Sequence, residues 1–234
     1  MSHANTLHSF SSVPRIGIDE SGKGDYFGPL VIAAAYVDER SESDLRLMRV
    51  RDSKKISDSR VIEIARDVRA VCPHYVVAIG PESYNRLYGK IGNLNRLLAW
   101  GHARALENLL ERVACNLAIA DQFGDERYVQ HALMEKGRAV RLVQQPRAEA
   151  DVAVATASIL ARADFLIRLD RLSREVGTAL PKGASGAVEL VARMVMKKQG
   201  EDGLRKVAKL HFKTTQAVLR GATSAQSDSP ASSS

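Results

Sequence analysis

Five short apolar runs of strand length, set apart by turn signals and helical stripes, constrain this chain more than any other feature. Arg15–Glu20 (RIGIDE) and Leu30–Val37 (LVIAAAYV) read as a pair of strands joined by a glycine-rich connection. Tyr75–Ile79, Leu117–Asp121 and Ala139–Val143 are three further runs of the same kind. Between them, Ser57 is placed to cap a helix whose Val61, Ile64, Ala65, Val68 and Val71 recur at helical spacing. Leu94–Val113 and Val152–Leu172 carry similar stripes without an internal proline. Strands alternating with helices predict an α/β fold with helices packed on a sheet. In such folds ligands gather where strands end, so the residues at the strand tips carry the functional question.

Composition excludes several classes. At 234 residues, 45% hydrophobic and 26% charged, the chain has ordinary globular values and enough apolar material for one core. The apolar runs are too short for a membrane-spanning helix, and the opening MSHANTLHSFSS lacks the basic and apolar regions of a secretory signal. Two cysteines, Cys72 and Cys115, are too few for a disulfide framework or a four-thiolate metal site, and read as small buried hydrophobes. The expectation is a cytoplasmic monomer with no membrane partner. Residues 1–12 and the serine-rich 221–234 read as tails around a single domain over 13–220.

Charge is unevenly placed. The formal net charge is +7, and the stretch from Pro181 to Arg220 holds nine basic residues against Glu189, Glu201 and Asp202. A basic helical segment on a balanced body suits a polyanion, nucleic acid first, although a solvated face of lysines has the same composition.

Asp19 and Glu20 end the first strand and run directly into Ser21-Gly22-Lys23-Gly24-Asp25, while Asp121 ends the LAIAD run. Adjacent strand side chains point to opposite faces unless the strand is ending or bending there. Acids at two strand ends suggest a cluster at one sheet edge, and clustered carboxylates need a compensating charge, most simply a divalent cation. Oxygen ligands favour Mg²⁺ or Mn²⁺ over zinc. Gly22-Lys23-Gly24 is neither a Walker loop, lacking the following Ser or Thr, nor a dinucleotide fingerprint. The glycines suit a strand-to-strand turn, or backbone lying close to a sugar–phosphate with Lys23 on a phosphate. The six histidines show no zinc spacing, and no nucleophile-elbow motif is present.

The string Gly17–Pro29 (GIDESGKGDYFGP) resembles the type 2 ribonucleases H. The resemblance continues through Asp52–Lys55 (DSKK), Ala120–Phe123 (ADQF), Arg147–Glu149 (RAE) with Ala157–Arg162 (ASILAR), Leu180–Ser185 (LPKGAS) and Ala208–Lys213 (AKLHFK). It spans nearly all of residues 14–220, and the long glycine-rich string and Leu-His-Phe-Lys are similar to ribonuclease HIII rather than HII. It implies a ribonuclease H-like fold, a mixed five-stranded sheet flanked by helices. It also implies endonucleolytic hydrolysis of the RNA strand of RNA–DNA hybrids with two Mg²⁺ or Mn²⁺ ions, leaving 5′-phosphates.

The resemblance makes Asp19, Glu20 and Asp121 metal ligands, with Glu149 or Asp151 as the fourth catalytic carboxylate. Gly22, Lys23 and Gly24 correspond to the loop that reads the ribose 2′-hydroxyl, and Ser53, Lys54 and Lys55 would lie along the nucleic-acid backbone. Ribonuclease HIII usually carries an N-terminal substrate-binding domain, whereas about a dozen residues precede the first strand here. More of the binding is therefore expected of the basic C-terminal segment. Ribonuclease HII adds a junction-reading tyrosine late in the chain. Here no tyrosine follows Tyr128, Phe165 and Phe212 are the only later aromatics, and Phe212 reads as a core residue. The expectation is cleavage within runs of ribonucleotides. The alternatives are an HII-like enzyme cutting at single embedded ribonucleotides, and a non-catalytic nucleic-acid-binding module.

Overall fold

The computed structural model describes residues 13–50 and 56–227. In chain order its elements are β1 (Arg15–Ser21), β2 (Leu30–Val37), α1 (Glu39–Leu47), α2 (Asp58–Val71), β3 (His74–Ile79), α3 (Pro81–Ile91) and α4 (Leu94–Leu110). Then follow β4 (Leu117–Asp121), α5 (Arg127–Ala132), β5 (Arg141–Gln145), α6 (Val152–Val176), α7 (Gly186–Val207) and α8 (Lys213–Ser227). The five strands form one mixed sheet in the order β3-β2-β1-β4-β5. β2 is antiparallel to both β1 and β3, whereas β1–β4 and β4–β5 are parallel. The predicted strands are all present. The last begins two residues later than its apolar run because Gly137–Ala139 close a 3-10 turn first.

Each face of the sheet has its own core, because alternate residues of β2 serve different helices. Val31, Ala33, Ala35 and Val37 pack with Val61, Ile64, Ala65 and Val68 of α2 and with Ile159, Leu160 and Phe165 of α6. Leu30, Ile32 and Ala34 join Ile16 and Ile18 of β1 against Leu97, Leu98, Leu106 and Leu109 of α4. Ser57 caps α2 as its position predicts, its hydroxyl accepting from the Arg60 N–H. Cys72 is buried and Cys115 half-buried, both as free thiols.

Two close approaches set the site's geometry. Gly17 lets α6 lie directly on β1, where a Cβ would stand 2.0 Å from the Ala153 carbonyl carbon. At the same end of α6, Arg15 is 1% exposed and donates to Asp151 at 2.7 Å and to Glu42 of α1 at 2.8 Å. β1 is thereby fixed to α6 by sterics and to α1 and the α6 cap by charge.

Ser53, Lys54, Lys55 and residues 1–12 lie outside the described residues. The C-terminal helix α8 runs on to Ser227, past the start of the expected tail at 221. Among the described residues no helix is long and apolar enough to cross a membrane.

Candidate active site

β1 and β4 run parallel, with Ile18 opposite Ala120, so Asp19 and Asp121 follow at the same edge of the sheet. β1 remains a regular strand through Ser21, still paired with β2 at Glu20 and Ser21. Its two acids therefore diverge to opposite faces. Asp19 turns to the α6 face, where the Ser158 side chain hydrogen-bonds it, while its Oδ1 accepts from the Glu20 N–H at 2.8 Å. Glu20 turns to the α4 face, where His102 Nε2 donates to Oε2 at 2.9 Å. Its other oxygen accepts from Lys23 Nζ at 2.6 Å.

Opposite surroundings push the two carboxyls apart. Burial, then the neighbouring Glu20 charge, raises Asp19 well above the usual carboxylate range despite Ser158 and His102. Burial would raise Glu20 as well, but the hydrogen bonds and charges of His102 and Lys23 outweigh it and hold Glu20 below the ordinary range. The Lys23 ammonium is pulled down by burial but raised overall by Glu20, Asp19 and Asp121, so it stands in the field of all three acids.

The fourth carboxylate divides the two candidates. Asp121 Oδ1 accepts from the backbone N–H of Ala148 at 3.1 Å, which sets the 3-10 turn holding Glu149 beside β4. The residue before that turn, Arg147, has φ of 57°, a left-handed conformation costly for a non-glycine residue. Asp151 is instead 5% exposed, with Oδ1 capping α6 at the Ala153 N–H (2.8 Å) and Oδ2 on Arg15. Both of its oxygens serve the fold, and its partner Arg15 lies four residues before Asp19, about 13 Å back along the strand. Asp151, the rival expectation for the fourth carboxylate, thus serves here as a helix cap and ion-pair partner.

The loop Gly22–Pro29 leaves β1 directly beside the acids. Gly22 has φ of +87°, and a Cβ there would stand 2.2 Å from the Pro29 carbonyl oxygen and 2.9 Å from the Phe165 ring, so the loop closes only with glycine. Lys23 and Gly24 are exposed, with nothing within 4 Å of a Cβ at Gly24.

His102 belongs to no metal-ligand spacing, so the sequence motifs do not point to it. The available signal was positional: it is a histidine on the apolar stripe of Leu98, Leu106 and Leu109, and it is fully buried. Its Nδ1 has no hydrogen-bond partner among the described residues. Lys209 also differs from expectation, being fully buried rather than part of an exposed basic face.

The donor set consists of hard carboxylate oxygens that repel one another and already attract an ammonium, which fits a divalent cation. Among the described residues no three acid, histidine or cysteine side chains are gathered as a ready metal cage. Lys23 Nζ occupies one of the two Glu20 oxygens in this arrangement.

Fold and site together are those of a ribonuclease H-type endoribonuclease, a hydrolase of phosphodiester bonds. The profile of the Ribonuclease HII family matches residues 16–215, and the chain belongs to that family, the type 2 ribonucleases H. It is 47% identical over 206 residues to ribonuclease HIII of Protochlamydia amoebophila (strain UWE25), covering 88% of this chain and 68% of that protein. Ribonuclease HIII of Chlamydia pneumoniae is 43% identical over 225 residues, covering 92% and 76%. Among solved structures, Bst-RNase HIII in complex with Mn²⁺ superposes with a TM-score of 0.89 at 35% identity, over 96% of this chain and 75% of that one.

Proposed function

We propose that this chain cuts the RNA strand of RNA–DNA hybrids within runs of ribonucleotides, using two divalent cations, Mg²⁺ or Mn²⁺. The observation that carries this reading is the divergence of Asp19 and Glu20 around the tip of β1, beside Asp121 at the same edge. Three acids at neighbouring strand ends bring hard oxygen donors to one edge of the sheet, with Glu149 completing the set. When bound, the pair of cations activates an attacking water and stabilises the departing 3′-oxygen. The protein's own groups orient that chemistry: Ser158 holds Asp19, His102 holds Glu20, and the Ala148 N–H holds Asp121. Lys23, freed from Glu20, is placed to meet a phosphate.

Preference for ribonucleotide runs is supported by the aromatic residues near the loop. Phe165 lies 2% exposed beneath Gly22 and Gly28, and Phe212 packs edge-on against Tyr26. Phe165 is enclosed and the half-buried Phe212 is engaged by Tyr26, which favours register taken from the 2′-hydroxyls of consecutive ribonucleotides. With Mg²⁺, a labelled hybrid with an RNA run is expected to be cut at least about tenfold faster than a DNA duplex carrying one embedded ribonucleotide. Equal rates would point to a junction reader of the HII type, and no cleavage of either to a binding module.

The exposed lysines of α7 are expected to carry phosphate contacts. Replacing Lys197, Lys198 and Lys206 together by Gln should reduce the slope of log affinity against log salt by up to about three. An unchanged slope would make them a solvated face. Lys209 is excluded from that set by its burial.

A further inference from the structure

Lys209 is fully buried and makes no ion pair with any carboxylate among the described residues. Its ammonium instead donates to three consecutive carbonyls of the loop that follows the catalytic strand: Gly28 at 2.7 Å, Phe27 at 3.3 Å and Pro29 at 3.4 Å. The Tyr84 ring completes the pocket, its centroid 5.8 Å from Nζ. An ammonium has three donors and no acceptor, so three converging carbonyls match it as they would match a bound cation. A buried charge without a counter-ion is costly, which makes its presence here a matter of geometry rather than of general stability. Burial pulls the Lys209 ammonium down to about 7, with Asp25 acting against that shift.

The same segment grips the loop through its backbone. Lys209 N–H donates to the Tyr26 carbonyl at 2.8 Å, and Gly28 N–H donates to the Val207 carbonyl at 2.9 Å, on either side of a bridge between Phe27 and Ala208. Asn85 of α3 holds the clip from outside, donating to the Ala208 carbonyl and accepting from the Leu210 N–H, both at 2.9 Å. One of the gathered oxygens, that of Pro29, is the atom against which Gly22 closes. Lys209 therefore anchors the loop chiefly at the Gly28 carbonyl, next to Pro29, whose carbonyl limits where Gly22 can sit, and Gly22 leads into Lys23 and Gly24 beside Glu20.

We propose that Lys209 is a positioning residue that determines sugar specificity, holding the Gly22–Gly24 turn at the height from which it distinguishes ribose from deoxyribose. The inference rests on the proposed reading of that turn and assigns Lys209 no contact with substrate or metal.

The test uses full-length protein with a hybrid of continuous RNA and with the same hybrid carrying a single 2′-deoxynucleotide at the main cut site. For wild type, Lys209→Met and Lys209→Arg, kcat and KM on both substrates are measured alongside melting temperature and calorimetric Mn²⁺ affinity. Lys209→Met is expected to lower the ribose-to-deoxyribose rate ratio about tenfold, mainly through kcat on the continuous hybrid. Mn²⁺ affinity should stay within about threefold of wild type, and Lys209→Arg should recover part of the ratio. A purely structural role would lower both rates in proportion, and an unchanged ratio overturns the inference. If Lys209→Met does not fold, Asn85→Ala loosens the same clip from the half-buried side and should lower the ratio a few-fold; an unchanged ratio there overturns the inference equally. Wild-type protein that cuts neither hybrid overturns the proposed activity and this inference with it. Wild type that discriminates, beside a Lys209→Met variant that discriminates equally, overturns only the role of Lys209.

Discussion

Asp121→Asn is expected to lower hybrid cleavage by roughly 10³-fold or more while leaving hybrid affinity within a few-fold of wild type. The variant separates charge from fold. Asp121 Oδ1 accepts from the Ala148 N–H, and an asparagine oxygen can accept the same bond, so the turn carrying Glu149 stays in place. What disappears is one negative charge at the edge shared by β1 and β4, and with it part of the charge that balances a cation pair. Affinity for the hybrid should persist because it comes largely from basic groups on phosphates, which Asp121 does not supply. Cleavage and gel-shift assays on one preparation decide the matter. Normal turnover would remove Asp121 from the site, and joint loss of binding and cleavage would show that it supports the substrate surface instead.

Gly17→Ala is expected to be the most damaging single-methyl change in the core. The added Cβ would stand 2.0 Å from the Ala153 carbonyl carbon and 2.2 Å from both the Ala153 oxygen and the Val154 nitrogen. These are backbone atoms of α6, so no side-chain rotation relieves the clash. The helix would have to lift from β1 as a body, and it is held there by Asp151 on Arg15 and by Ser158 on Asp19. A cost of more than about 4 kcal/mol follows, a large share of a typical domain's stability. The expected result is insoluble protein, or a melting temperature lower by at least about 8 °C. Gly24→Ala is the control: its Cβ meets nothing within 4 Å, and its melting temperature should stay within about 2 °C of wild type. A Gly17→Ala protein melting as wild type does would show that α6 and β1 are not pressed together as described.

Much of this architecture was legible in the chain before any fold was known. Strands show as runs such as LVIAAAYV because both faces of β2 are buried, and α2 shows through its stripe and the Ser57 cap. The helix α1 did not show, since Glu39–Leu47 is mostly polar and buries only Leu45 among its apolar residues. Asp19, Glu20 and Asp121 were legible as acids at strand ends, because a strand's last residues are fixed by local pattern.

Their partners were not. That Glu20 meets His102 depends on β1 staying regular through Ser21 and on which helix covers each face, a matter of sheet order and not of local sequence. Asp151 stands as a rival to Glu149 in the sequence, and its hydrogen bonds to Arg15 and to the first turn of α6 are visible only in the fold. Lys209 looked like one lysine among nine basic residues in a charged segment, yet it is fully enclosed. Periodicity and residue chemistry are local properties, so the strands, the striped helices and the acids on β1 and β4 could be read from the chain. Which side chains hold each acid and which lysine is buried depend on groups 82 to 182 residues apart, which only the assembled sheet and helices bring together.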